Sequence, residues 1–358
     1  MIMIKRNKIW IIITITAAVL HLLFFCFTPF ADGFNDTLSA FFRMTLAGIT
    51  GIFPFSVAEI LIFLSVPIAV LIAFIAITKK KTLSDKLVFV IGCVLKILGT
   101  VYIIFVLTFA PGYGTATLDS KLQLNKENFT KEDLYETMLH VVNMTNEAAK
   151  DIEFVEEKSS MMPFAISELS NKLCDSYNKV YEKYDLGPTF NSTAKPLIIS
   201  PVMTYTHIAG VYSFFTGEAN INTNYPDFVT VYSASHELAH QRGIAREDEA
   251  NFIAYLVCIN NEDPYIRYSG YLNMFNYLAD ALYQADPELY SLAVSSLDKN
   301  VILELKAYSD FFDMYRDSKV SEISDAVNDT YLKSQGTSGT VSYSMVTELA
   351  VAYHKNEK

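Results

Sequence analysis

His236-Glu237-Leu238-Ala239-His240 opens a stretch, HELAHQRGIAREDEANFIAYL over residues 236–256, whose reading decides the fold of the larger part of this chain. On an α-helix, residues four apart lie on one face, a turn from each other, so His236 and His240 can turn their imidazoles toward one point. Two imidazoles so placed can bind one zinc ion, and Glu237, beside the first, can reach a water there as general base. Ser233 and Ser235 precede the motif, Leu238 and Ala239 offer an apolar face, and Gly243 supplies a stop just past His240.

A catalytic zinc commonly has three protein ligands and one open position. Past Gly243 the acids Glu247, Asp248 and Glu249 come just before an apolar run, Phe252 to Ile259. That order predicts a second helix with acids in its first turn, where the helix dipole favours them. Burying the apolar run would set this helix beside the first and aim its first turn at the metal. Glu247 is the choice for third ligand, with Glu249 as the alternative. Asn251, one turn after Glu247, is placed to hydrogen-bond a ligand. Arg246 stands six residues after His240, so a three-histidine site of the HExxHxxGxxH type is excluded.

The rest of the chain falls into two textures. Of 358 residues, 28 are Lys or Arg and 39 Asp or Glu, a formal net charge of −11. Residues 1–110 hold nine basic and four acidic residues, which leaves 19 and 35 for residues 111–358. The whole is too apolar for a disordered chain and too acidic for a nucleic-acid binder. Uncharged runs at 9–31 and 60–78, and a third at 87–110 broken only by Lys96, are each long enough to cross a bilayer. Met44 to Ala58, with Gly48, Gly51 and Pro54, reads as an interfacial lead-in. His21, inside the first run, is given no role. Lys5, Arg6 and Lys8 precede the first run, and Lys79, Lys80, Lys81 and Lys86 lie between the second and third. The positive-inside rule places both clusters in the cytoplasm and residues 111–358 outside.

Within 111–358, helical spacing is expected over 131–158 and 166–184. Strand composition follows over 196–221, then helices from about Val229, including 271–283, 287–312 and a last one at 343–353. The expected class is α+β: three N-terminal transmembrane helices, then a mostly helical extracytoplasmic domain with a small sheet. Cys174 and Cys258 fall in the outer part, where a disulfide is allowed but not required.

The Glu-ligand pattern resembles zincin metallopeptidases, in which HExxH is followed by E-x-x-A-[DN] on a second helix. More closely, the spans together with FTGEANIN (215–222), the 236–256 block and SYSMV (342–346) resemble the bacterial domain-of-unknown-function 3810 family over nearly the whole chain. That resemblance implies a zincin-like fold and a peptidase, without a substrate. By the same analogy an extended substrate would lie along a sheet edge. The candidate edge is Gly217, Glu218, Ala219 and Asn220, within 217–222. A donor to the developing oxyanion is expected from Tyr343 or His207, with Tyr225 and Tyr268 as further candidates.

The reading is a membrane-anchored, zinc-dependent hydrolase that cleaves a peptide or protein substrate at the outer face of the membrane. Its partners are that substrate and the lipid bilayer, with no nucleic acid. The alternative is a non-catalytic membrane-anchored sensor or scaffold that retains the fold, with a fourth protein ligand closing the metal site. Intramembrane proteolysis is set aside because the motif lies far past the last span, beside Gln241, Arg242 and Arg246.

Overall fold

A computed structural model describes residues 8–126, 129–155 and 159–356. Lys5 and Arg6 of the expected cytoplasmic cluster, and residues 156–158 of the helix expected over 131–158, lie outside them; among the described residues that helix ends at Ala149 and a short strand, Phe154–Val155, follows. The chain divides into two compact units, Met1–Thr115 with Ser213–Glu218, and Ala116–Tyr212 with Ala219–Lys358.

The first unit is built of α1 (Lys8–Cys26), α2 (Thr28–Phe34), a π-helical turn, α3 (Ala40–Thr50), α4 (Val57–Lys79) and α5 (Leu83–Thr108). α1, α4 and α5 are each long and apolar enough to cross a membrane. The first span was expected to reach Ala31, but its helix ends at Cys26. Pro29, near the start of α2, lacks the N–H that would continue the ladder and would clash with the preceding turn. The stretch expected as an interfacial lead-in is helical as far as Thr50 and then turns. Arg43 of α3 is fully buried, donating through Nη1 to Asn35 Oδ1 and the Thr108 carbonyl and through Nη2 to the Asn35 carbonyl, each at 2.9 Å. Lys96 is exposed on α5.

The second unit is ordered around three helices that sequence alone marks as buried. They are α8 (Asp227–Gln241), α9 (Glu247–Ile259) and α10 (Pro264–Ala285), numbered after α6 (Lys131–Ala149) and α7 (Ile166–Tyr184). α9 is buried on every face from Glu247 to Cys258, the mark of a helix at the centre of a core. Around it pack α7, α8, α10 and the C-terminal helix. α11 (Pro287–Val294), α12 (Lys299–Asp313), α13 (Lys319–Ser334) and α14 (Val346–Asn356) complete the helices. α6 begins with a capping box, the Thr130 hydroxyl accepting from the Asp133 amide while the Asp133 carboxylate accepts from the Thr130 amide.

Two small sheets complete the unit. β1 (Phe154–Val155) pairs antiparallel with β2 (Ser159–Ser160). A second sheet has the order β3-β5-β4, from β3 (Lys195–Pro196), β4 (Gly210–Ser213) and β5 (Glu218–Ile221). β3 runs parallel to β5, with Lys195 opposite Asn220 and Pro196 opposite Ile221. Much of the stretch whose composition reads as strand, 196–221, is instead helical turn: Ser200–Met203 and Thr204–Thr206. Pro201 sits in the first turn of the former, where its missing N–H costs nothing.

The helix expected over 287–312 is broken into α11 and α12. Asn146 of α6 takes up the backbone at the break, donating to the Ser296 carbonyl at 2.8 Å and accepting from the Asp298 amide at 2.9 Å. The helix expected over 271–283 starts earlier, at Pro264, where Asp263 caps it by accepting from the Tyr265 amide. The last helix starts at Val346, after a 3-10 stretch at Gly339–Met345. All four cysteines are free thiols, Cys174 and Cys258 buried among them.

Candidate metal centre

α8 carries the HExxH motif within its last two turns, and its end is made by a specific backbone device. Gly243 adopts φ +99°, a left-handed conformation that only glycine takes at little cost. Its amide donates to the His240 carbonyl at 3.0 Å, and the Ile244 amide donates to the Ala239 carbonyl at 3.2 Å. These are the two bonds of a Schellman motif. The reversal returns the chain at once into α9, and it also orients a side chain: His240 Nδ1 donates to the Ile244 carbonyl at 2.7 Å. A carbonyl only accepts, so the proton sits on Nδ1 and the Nε2 lone pair is left for another partner.

α9 is held against α8 by bonds between the two. Tyr232 donates its hydroxyl to the Asn251 carbonyl at 2.7 Å, and the small residues Ala234, Ser235, Ala250 and Ala254, all buried, let the helices approach. The first turn of α9 therefore faces the two imidazoles. His236 Nε2 lies 3.2 Å, and His240 Nε2 3.3 Å, from Glu247 Oε2. One ligand atom from each residue falls within 4.8 Å of the others, the one such cluster of three among the described residues.

Whether these residues fit a metal can be judged from that geometry. Ligand atoms on a tetrahedral zinc with bonds of about 2.0–2.1 Å stand about 3.3 Å apart. The contacts of Glu247 Oε2 match that spacing, and Oε2 is buried without another hydrogen-bond partner. Two imidazole nitrogens and one carboxylate oxygen so close together are spaced as ligands of one divalent cation would be. Two imidazoles and one carboxylate are also a donor set that zinc accepts.

Glu249, the alternative ligand, is turned away. Its Oε1 accepts from the Leu118 amide at 2.9 Å and from Arg246 Nη1 at 3.0 Å. Burial pushes its carboxyl up from the usual range. Asn251 lies buried one turn beyond Glu247; its main-chain carbonyl serves Tyr232, and its side chain lines the cavity next to the cluster.

Electrostatics at the cluster follow from burial first. Burial pushes the Glu237 carboxyl up to about 7, opposed by the neighbouring imidazoles. Burial alone would lower His240, but the Glu247 carboxylate beside it outweighs that and raises it to about 9. Glu247 would likewise be raised by burial, and instead His240, with His236, holds it well below the usual carboxylate range.

Glu237 lies against β4. A Cβ placed on Gly210 would come 2.6 Å from Glu237 Oε1 and 2.7 Å from its Cγ, so only glycine leaves the carboxylate its place. The substrate edge expected at Gly217, Glu218, Ala219 and Asn220 is corrected here. β5 is the central strand of the sheet, paired on both sides, and every residue of it is buried. Gly217, at φ +70°, packs on Leu46, and Glu218 accepts from the Val57 and Ala58 amides at 2.9 and 2.7 Å, capping α4. Asn220 donates to the Val211 carbonyl at 3.2 Å. β4 is an edge strand of the sheet, and Val211 on it is exposed.

A cavity of about 520 Å³ opens beside His236 and Glu237. Tyr343 and His207 both line it, so both expected oxyanion donors are at the site, as is Tyr225. His207 Nε2 donates to the Tyr315 carbonyl at 2.8 Å. The Tyr343 hydroxyl accepts from Asn328 Nδ2 at 3.3 Å, and its own proton is left to donate. Burial, then the nearby Glu247, pushes that phenol well above its ordinary value, so it keeps its proton. Tyr268 faces elsewhere and bonds Glu304. Tyr277 lines the same cavity, and sequence reasoning missed it because nothing local distinguishes it among 22 tyrosines.

The family model described as protein of unknown function (DUF3810) matches residues 30–351. The chain belongs to the DUF3810 family. Comparison with curated proteins and with solved structures finds no match. The family match takes in both the apolar helices after residue 30 and the whole His236–Glu247 cluster.

Proposed function

We propose that this DUF3810 protein is a membrane-anchored, zinc-dependent peptidase with a zincin-like catalytic domain on the outer side of the membrane. The observation that carries the reading is the buried Glu247 Oε2, 3.2 and 3.3 Å from two imidazole nitrogens and without another hydrogen-bond partner. His236, His240 and Glu247 would hold the ion. A zinc there supplies Lewis acidity, polarising a scissile carbonyl and making water a stronger acid.

The remaining work falls to the chain's own residues. Glu237, buried and held beside β4, accepts the proton of the attacking water and returns it to the departing amine. Tyr343 donates its hydroxyl to the oxygen on which charge develops. β4, an edge strand with Val211 exposed, would pair with an extended peptide and lay it past Glu237. Lys79, Lys80, Lys81 and Lys86 between the second and third apolar helices argue that this loop is cytoplasmic and the catalytic domain extracytoplasmic. A closed, purely structural site would need a fourth ligand, and its nearest candidate, Glu249, is taken by Leu118 and Arg246.

The test is Glu237→Gln against wild type on a quenched-fluorescent peptide library. The variant keeps its zinc and loses on the order of 10²–10⁴ in rate, as for a removed general base. Equal cleavage by both proteins would overturn the proposal.

A further inference from the structure

A second cavity, of about 430 Å³, adjoins the one beside the metal cluster, and Tyr225 and Tyr308 line both. Its other walls include the β1–β2 hairpin, Asp227 at the start of α8, and Glu304 of α12. Glu304 is 1% exposed, and its carboxylate accepts from the Ser160 amide at 3.0 Å, from the Ser160 hydroxyl at 2.5 Å and from the Tyr268 hydroxyl. Asp227 accepts from the Met162 amide through Oδ2 at 2.8 Å. The two acids are close enough for Asp227 to raise the Glu304 carboxyl further, after burial has done most of it. No lysine or arginine lines either cavity among the described residues. Two acids on one wall, with no lysine or arginine among the described residues that line it, is an arrangement that a cation relieves.

A second observation points to a ligand that spans both cavities. Tyr225 is 5% exposed, and its hydroxyl is buried without a hydrogen-bond partner. Buried polar groups are nearly always paired, so an orphaned hydroxyl on the wall between two cavities asks for a partner from a bound molecule. A chain that occupies both cavities lies along Tyr225, which lines each, and with a small turn of the ring a peptide carbonyl there would accept from its hydroxyl.

We propose that the second cavity is a specificity subsite of the same cleft, taking a lysine or arginine side chain of a peptide whose backbone bonds Tyr225. Asp227 supplies the facing charge, and Glu304 fixes the wall that holds it. The proposal rests on the peptidase reading for its substrate and names the class: peptides with a cationic side chain at a position away from the scissile bond.

The experiment uses the full chain in detergent, with two readouts. In the first, kcat/KM is compared for paired fluorogenic peptides differing only in lysine against norleucine at each position. Wild type is expected to favour lysine at least tenfold at one position, through KM, and Asp227→Asn to bring that ratio near one. In the second, a fluorescein-labelled lysine peptide and its norleucine twin are titrated onto Glu237→Gln by anisotropy. The lysine peptide is expected to bind at least tenfold tighter, with n-butylammonium competing for it and Asp227→Asn abolishing the difference. Competition by n-butylammonium needs no second variant, so it still reads the subsite if Asp227→Asn unfolds. Cleavage by wild type with no cation preference at any position would overturn the subsite and leave the peptidase reading. Cation-dependent binding without cleavage would support the subsite and overturn the peptidase reading.

Discussion

Replacing Gly210 by alanine tests how Glu237, the proposed general base, is positioned. The new Cβ would stand 2.6 Å from Glu237 Oε1, 2.7 Å from Cγ and 3.0 Å from Cδ, where ordinary contact begins at 3.4 Å. Glu237 is buried between β4 and the imidazoles, so the carboxylate must move by roughly 0.8 Å to relieve the overlap, a displacement that can cost on the order of 10² in rate. Two decades correspond to about 2.7 kcal/mol of barrier. His236, His240 and Glu247, the proposed zinc ligands, are not touched, so metal content is expected to stay at the wild-type level. The assay is library turnover by the purified full chain, with bound zinc and thermal melting measured on the same sample. Turnover within threefold of wild type at equal zinc would refute the reasoning, because it would mean the close approach of β4 does not set the carboxylate.

Other expectations concern the supports of the fold. Glu249→Gln is expected to lower stability by about 1–3 kcal/mol in chemical denaturation, since Arg246 loses its charged partner, while zinc content is unchanged. The Thr130 amide, then Lys355, holds the Asp133 carboxyl down to about 2 from an unfolded value of 3.8. Its folded pKa is depressed, so its contribution is full above about pH 4 and lost as pH falls through about 2. Asp133→Asn is therefore expected to destabilise by roughly 0.5–1 kcal/mol at pH 7, with the gap closing toward pH 2 in melts.

The parts legible in the sequence are those set by local period. His236 and His240 share a helix face by spacing alone, Gly243 marks the stop, and the acids ahead of an apolar run mark the start of α9. Glu247 is preferred over Glu249 from its place in the first turn of α9, whereas the bond that turns Glu249 toward Leu118 comes from a distant part of the chain and is not legible locally. Strand order is not written in composition: only pairing tells that β5 is central and β4 an edge. Gly210 reads as punctuation until Glu237 is seen against it. The break between α11 and α12 depends on Asn146, some 150 residues away in sequence. Three helices long and apolar enough to cross a membrane were plain from length and scarcity of charge, whereas the end of the first depended on weighing Pro29 against an unbroken apolar run.

Metal content bears most directly on the account. Purified full-length wild type, His240→Ala and Glu247→Gln should be stripped, reloaded with zinc, dialysed and measured by mass spectrometry of the metal. The expectation is about one zinc per wild-type chain, given a site of three protein ligands, and strong loss from both variants. Equal zinc in all three proteins, or none in wild type, would contradict it.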